Sequence, residues 1–138
     1  MAAGLERFVE AQRSTYDQAL AELRAGAKRS HWMWFVFPQI AGLGRSPTAR
    51  FYAIADAVEA RAYLTHPVLG PRLRQSTEAM LRWAGDKTAE AILGPIDAMK
   101  FTSSMTLFDA VTEGDDLFAR ALAAFNRGRR DPLTLERL

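Results

Sequence analysis

Between Asp97 and Ser104 the chain sets a carboxylate, the amine of Lys100 and the hydroxyls of Ser103 and Ser104 within about two helical turns. At about 100° per residue, Asp97, Lys100 and Ser104 fall beside the apolar stripe of Phe101 and Phe108, not opposite it. Polar groups at the edge of a core need partners, because an unpaired buried one costs roughly 1–3 kcal/mol. They either bond within the helix or face a ligand in a cleft. As ligand groups, the lysine and serines suit phosphate oxygens. Asp97 suits the oxocarbenium-like transition state of glycosidic cleavage or the orientation of a water, and Glu59 is a second carboxylate fit for that role. The structural alternative has the serines bonding back to the preceding turn and Lys100 reaching solvent along its stem.

Upstream, residues 30–44 read Ser-His-Trp-Met-Trp-Phe-Val-Phe-Pro-Gln-Ile-Ala-Gly-Leu-Gly, an aromatic run that ends in a glycine turn. Trp32 and Trp34 either stack on a nucleobase or form the centre of the core. Gly42-Leu43-Gly44-Arg45-Ser46 can cradle an anion on backbone N–H groups, with Arg45 and Ser46 adding charge and a hydroxyl. It matches neither a Walker A loop nor a Rossmann fingerprint, and it serves equally as a plain turn. His31 can either fix the loop through a backbone carbonyl or move protons near neutral pH. His66, directly before Pro67, reads as a turn residue. Neither histidine has a second ligand at metal spacing, so no metal or cofactor is expected, and no Ser-His-Asp signature is present. Asp56 and Asp131 are better explained as helix caps than as catalysts.

The elements that must carry these groups are helical. Leu5, Phe8, Gln12, Tyr16, Ala19 and Leu23 recur at three- and four-residue spacing, which predicts one helix over 5–25, stopped by Gly26. A long irregular segment follows as far as Pro47. Asp56 caps a short helix that His66-Pro67 closes, and a longer one follows from Leu69 to about Ala84. Thr88–Leu93 supplies one or two turns, 96–112 a helix with the Phe101, Met105 and Phe108 stripe, and Asp115 starts another that Gly128 stops. Asp131-Pro132 opens a last short one. The expected fold is all-α, a single compact domain over 1–138 of about six to seven helices, with a long aromatic- and glycine-containing loop after the first.

With 138 residues the chain can bury a substantial core, and it contains no cysteine, which excludes disulfides and fits a reducing cytoplasmic compartment. Met1 to Gly4 lacks the features of a leader, and the apolar run Trp32–Phe37 is far short of the ~20 residues that span a bilayer. The expectation is a soluble, unprocessed protein with no membrane partner. Eighteen Lys and Arg against sixteen Asp and Glu leave a formal charge of +2. Local basic clusters at Arg24-Lys28-Arg29, Arg72-Arg74 and Arg127-Arg129-Arg130 would bind nucleic acid only if aligned on one face, so a nucleic-acid partner is not expected. The oligomeric state is open.

Three segments together resemble the bacterial domain of unknown function 1810 family, sometimes labelled calpastatin. They are Ser30 to Gln39 with Gly42-Leu43-Gly44, then Tyr63-Leu64-Thr65-His66-Pro67-Val68-Leu69-Gly70, then Met99 to Phe108. Arg7-Phe8 with Ala11-Gln12, and Asp131 with Thr134-Leu135, extend the resemblance over the whole chain. It implies a compact all-helical fold and brings no established activity. A looser likeness runs to the NADAR superfamily, whose members bind or act on NAD-derived and ADP-ribosyl compounds. There Met99, Lys100, Phe101 and Leu107 hold corresponding places, while Ser30-His31-Trp32 lacks that superfamily's glutamate.

The leading functional expectation is a domain that binds or hydrolyses a phosphorylated nucleotide-sugar, such as an ADP-ribosyl compound, where the aromatic loop meets the 97–104 helix. Asp97, Glu59 and His31 are its candidate catalytic groups; Trp32, Trp34, Arg45, Ser46, Lys100, Ser103 and Ser104 are its candidate ligand contacts. The rival is a non-enzymatic protein- or RNA-interaction domain whose aromatic run is core.

Overall fold

The structure, a computed structural model, describes residues 4–138. Its ten helices are α1 (Glu6–Arg13), α2 (Tyr16–Ala25), α3 (Met33–Val36), α4 (Pro47–Phe51), α5 (Ala57–Thr65), α6 (Leu69–Leu81), α7 (Ala89–Leu93), α8 (Pro95–Val111), α9 (Leu117–Asn126) and α10 (Pro132–Glu136). Among the described residues the one β-type pairing is an isolated parallel bridge between Ile40 and Ile54. The fold is all-α, as the periodicity and the family resemblance imply.

The helix count exceeds the expected six to seven for two local reasons. The amphipathic stretch 5–25 is two helices, because Ser14 and Thr15 leave helical geometry at φ −105° and −122°. Serine and threonine compete with the backbone for hydrogen bonds and so favour such breaks. The break lets α1 pack on α3 while α2 packs on α6. The segment expected to be irregular also holds two short helices, α3 inside the aromatic run and α4 begun by Ser46-Pro47.

Capping follows the sequence closely elsewhere. The Asp56 carboxylate accepts from the Glu59 amide, the Thr88 hydroxyl from Ala91 and the Asp115 carboxylate from Leu117. His66 is the turn residue its place before Pro67 implies, its Nδ1 accepting from the amides of Val68 and Leu69 at 3.0 and 3.2 Å.

Helix α8 is the central strut, with α5, α7, α9 and α10 packed around it. Its Phe101, Met105, Leu107 and Phe108 are fully buried. Aromatic rings link the layers: Phe8 meets Tyr63 edge-on at 5.2 Å, Tyr63 meets Phe108 at 5.3 Å, and Phe37 meets Phe101 edge-on at 5.0 Å. Each such pair adds about 0.5–1.5 kcal/mol beyond its burial. Among the described residues no helix is long and apolar enough to cross a membrane.

Candidate functional site

The aromatic run and the glycine turn that follows it, adjacent in sequence, have different fates in the fold. Trp32 is completely buried. Its Nε1 donates to Glu22 Oε1 at 2.9 Å, and the same oxygen accepts from the amides of Arg29 and Ser30 at 2.8 and 3.0 Å. Glu22 Oε2 accepts from the Ser30 hydroxyl at 2.6 Å and from Gln18 at 2.8 Å. Burial alone would raise this carboxyl, but the hydrogen bonds from Ser30, the Arg29 amide, Gln18 and Trp32 outweigh it and hold the group down at about 2. Glu22 is therefore a charged latch that ties the entry of the aromatic segment to α2. The expected stacking of Trp32 on a base is corrected: a ring with no exposed surface cannot meet a ligand.

Several other candidates are likewise committed. Asp97 pairs with Lys28 at 2.9 Å and with Lys100 at 3.9 Å, and Lys28 lies 5.2 Å over the Trp32 ring. Glu59 pairs with Arg7 at 3.2 Å and accepts from the Ala55 amide at 2.8 Å, joining α1 to the start of α5. Ser104 is fully buried, its hydroxyl without a partner, so it too lies away from any ligand. His31 is exposed beside the latch. Ser46 caps α4 by accepting from Ala49 at 3.1 Å.

The glycine turn instead forms one wall of an open cleft of about 830 Å³. That wall is Gly42 to Arg45; the floor is the start of α8, with Met99, Lys100 and Ser103; the far wall is 126–137, including Arg129, Asp131 and Leu133. Backbone bonds fix the base of the turn, Ala41 donating to Ile54 and Ile54 to Gln39, both at 2.8 Å. Gly42 has φ +99°, and a side chain there would strike the Arg137 guanidinium, so the glycine lets this arginine lie against the turn.

The far wall is held by a small polar knot. The Asp131 amide donates to Thr106 Oγ1 at 2.9 Å, while Asp131 Oδ2 accepts from the hydroxyls of Ser103 at 2.8 Å and Thr134 at 2.6 Å. Arg130 is bound to Asp109 at 2.5 Å. Lys100, beside Asp97, also sits 5.2 Å over the half-buried Trp34 ring. Among the described residues, Arg45, Arg129 and Arg137 make no ion pair, although all three line the cleft.

Of the sequence-expected ligand contacts, the cleft thus collects Arg45 and Lys100, with Trp34 behind Lys100; Ser103 also lines it, but its hydroxyl is committed to Asp131. Sequence reasoning missed Arg129, Asp131 and Arg137 as site residues. The cluster 127–130 carried a signal but read as a solvated helix end, and Asp131 read as a cap. Arg137 carried none, since only folding brings it to Gly42.

The comparisons with known proteins agree with this all-helical architecture. No curated protein matches the chain. A solved structure, the conserved hypothetical protein Rv1873 from Mycobacterium tuberculosis, superposes with a TM-score of 0.92 at 47% identity, covering 96% of this chain and 94% of that one. The family model described as protein of unknown function DUF1810 matches residues 2–138, spanning every wall of the cleft and the latch alike, and the chain belongs to that family.

Proposed function

We propose that this domain binds a phosphorylated nucleotide-sugar, such as an ADP-ribosyl compound, in the cleft between the glycine turn, α8 and the C-terminal segment. The observation that carries the reading is the convergence of Arg45, Arg129 and Arg137, none ion-paired, on one open cleft. Guanidinium groups match phosphate oxygens in a bidentate fork. With Asp131 as the single carboxylate against these arginines and Lys100, the cleft keeps an excess of positive charge that attracts an anion. The volume of about 830 Å³ falls within the ~300–1,000 Å³ usual for small-molecule sites. Leu43, Met99 and Leu133 supply apolar surface for a base.

Binding is the part of the expectation that this geometry supports. Hydrolysis through Asp97 or Glu59 is not, because Asp97 is paired with Lys28 and Lys100 and Glu59 with Arg7, and neither carboxylate is among the residues lining the cleft. One observation favours the interaction-domain reading: Ile96, Met99 and Leu133 are 71%, 72% and 55% exposed around the cleft. Large exposed apolar groups beside a charged groove also suit a macromolecular partner.

Calorimetric titration with ADP-ribose and with pyrophosphate separates the two. Saturable binding of both, lost in the double variant Arg45→Ala/Arg137→Ala, is the expected result. A folded protein that takes up neither at millimolar concentration overturns the small-ligand reading in favour of the interaction domain.

A further inference from the structure

Asp131 is the single carboxylate lining a cleft whose other charged lining residues are Arg45, Lys100, Arg129, Arg130 and Arg137. It makes no ion pair with any of them. Its Oδ2 is saturated by the Ser103 and Thr134 hydroxyls, and its backbone amide is anchored on Thr106. Its Oδ1 has no protein partner and is not sealed from solvent, since among the described residues Ser104 Oγ is the one buried side-chain polar atom left unbonded. The carboxylate is therefore held rigidly at one oxygen, through groups from α8 and α10, with the other available.

For a ligand made only of phosphate, such a group is a liability. A fixed negative charge among the arginines weakens the field that attracts an oxyanion. The arrangement makes sense for a ligand that presents donors next to its phosphate. A sugar hydroxyl donating to a carboxylate forms a charge-assisted hydrogen bond, about twice as strong as a neutral one. Because Ser103 and Thr134 already fix the rotamer, little further ordering is needed when the ligand arrives.

We propose that Asp131 is the specificity residue of the cleft, its free Oδ1 accepting from sugar hydroxyls so that a sugar phosphate is selected over a bare oxyanion. The proposal rests on the anion-binding reading above and names the ligand's hydroxyl-bearing moiety as what the site discriminates. Ser103 acts through Asp131 as a positioning residue.

The test compares affinities for ribose 5-phosphate, ADP-ribose and pyrophosphate in wild type and Asp131→Asn by calorimetry. Asparagine keeps the shape and can still accept from Ser103 and Thr134, but it loses the charge. The expected result is about a tenfold loss for the two sugar compounds, with pyrophosphate binding unchanged or tighter. Parallel changes for all three ligands, or no change in any, overturn the assignment. Ser103→Ala leaves the carboxylate but frees it on one side, and should weaken the sugar compounds about threefold while sparing pyrophosphate; this variant decides the matter if Asp131→Asn does not fold. Failure of the wild type to bind any of the three removes the anion-binding reading itself. Binding of pyrophosphate with a sugar preference that neither variant alters removes only the role of Asp131.

Discussion

The Glu22 latch and the arginine cleft are both rich in polar groups, and both border the aromatic and glycine segment, yet they differ in how those groups are satisfied. At the latch every hydrogen-bonding atom of the carboxylate is occupied by the protein, down to two backbone amides, two side-chain donors and an indole. At the cleft, three arginines and one carboxylate oxygen have no protein partner. A buried network closed on itself stabilises a fold and leaves nothing to offer a ligand. An exposed set of fixed charges left open stabilises little and retains its binding capacity. Completeness of partnering, more than polarity or aromatic content, separates scaffold from site in this molecule.

The sharpest break between the two regions is Trp32→Ala. Removing a fully buried indole from the core should cost about 3–5 kcal/mol and leave Glu22 without one of its donors. Denaturant melts should show this loss, whereas Arg45→Ala/Arg137→Ala should stay within about 0.5 kcal/mol of wild type. A Trp32→Ala protein that melts like wild type and loses only ligand affinity would restore the ring to a binding role and erase the contrast.

Acid should act on the latch next. The Glu22 carboxyl titrates at about 2 in the fold against an ordinary 4.5, so its contribution is fully present above the ordinary value. It is lost as pH falls through the folded value, because the unfolded chain takes up the proton first. The separation corresponds to roughly 3 kcal/mol. Stability of the wild type should therefore decline from about pH 5 towards pH 2, and Glu22→Gln should be less stable at neutral pH with a flatter acid limb. Identical acid limbs in the two proteins would mean that other carboxylates carry the decline.

This contrast was only half legible in the sequence. Helical periods located α5 to α10, since Asp56, Thr88 and the Phe101, Met105 and Phe108 stripe each encode a local interaction between near neighbours. The Ser14-Thr15 break was not legible because the apolar period runs through it unbroken, and α3 was not because four residues are too few to show a helical period. For the site, Gly42, Arg45 and Lys100 stood out through their types and spacing. Glu22 did not, sitting on a helix face like any solvated carboxylate until Ser30 and Trp32 fold over it. Arg137 joins Gly42 from 95 positions away, a long-range contact that no local pattern announces.

On the cleft side, Gly42→Ala should test whether the turn and Arg137 act as a unit. A methyl group at φ +99° is strained and displaces the guanidinium, which can swing away because it ends a flexible side chain. Stability should fall by about 1 kcal/mol, and pyrophosphate affinity should drop several-fold, towards that of Arg137→Ala alone. Combining the two changes should then cost no more affinity than one of them. Fully additive losses in calorimetry would show that Gly42 contributes to the anion site through its own backbone and not through the arginine.

The smallest effect concerns α8, which serves both regions: Asp97 near its start holds Lys28 of the latch side, and Ser103 holds Asp131 of the cleft. Its hydroxyls are nearly all partnered, Thr102 donating to the Ala98 carbonyl at 3.3 Å, Ser103 to the Asp131 carboxylate at 2.8 Å and Thr106 to the Thr102 carbonyl at 2.8 Å. Ser104 alone is buried and unbonded. Replacing it with alanine removes an unsatisfied group and adds up to about 0.5 kcal/mol of helix propensity, against a void of one oxygen. Ser104→Ala should therefore be neutral or more stable by up to about 1 kcal/mol in denaturant melts, with ligand affinity unchanged. A destabilised variant would show that the hydroxyl bonds to an enclosed water, which would place Ser104 with the closed, latch-like groups. A stable variant with weakened ADP-ribose binding would place it with the open ones, and would extend the cleft inward along α8.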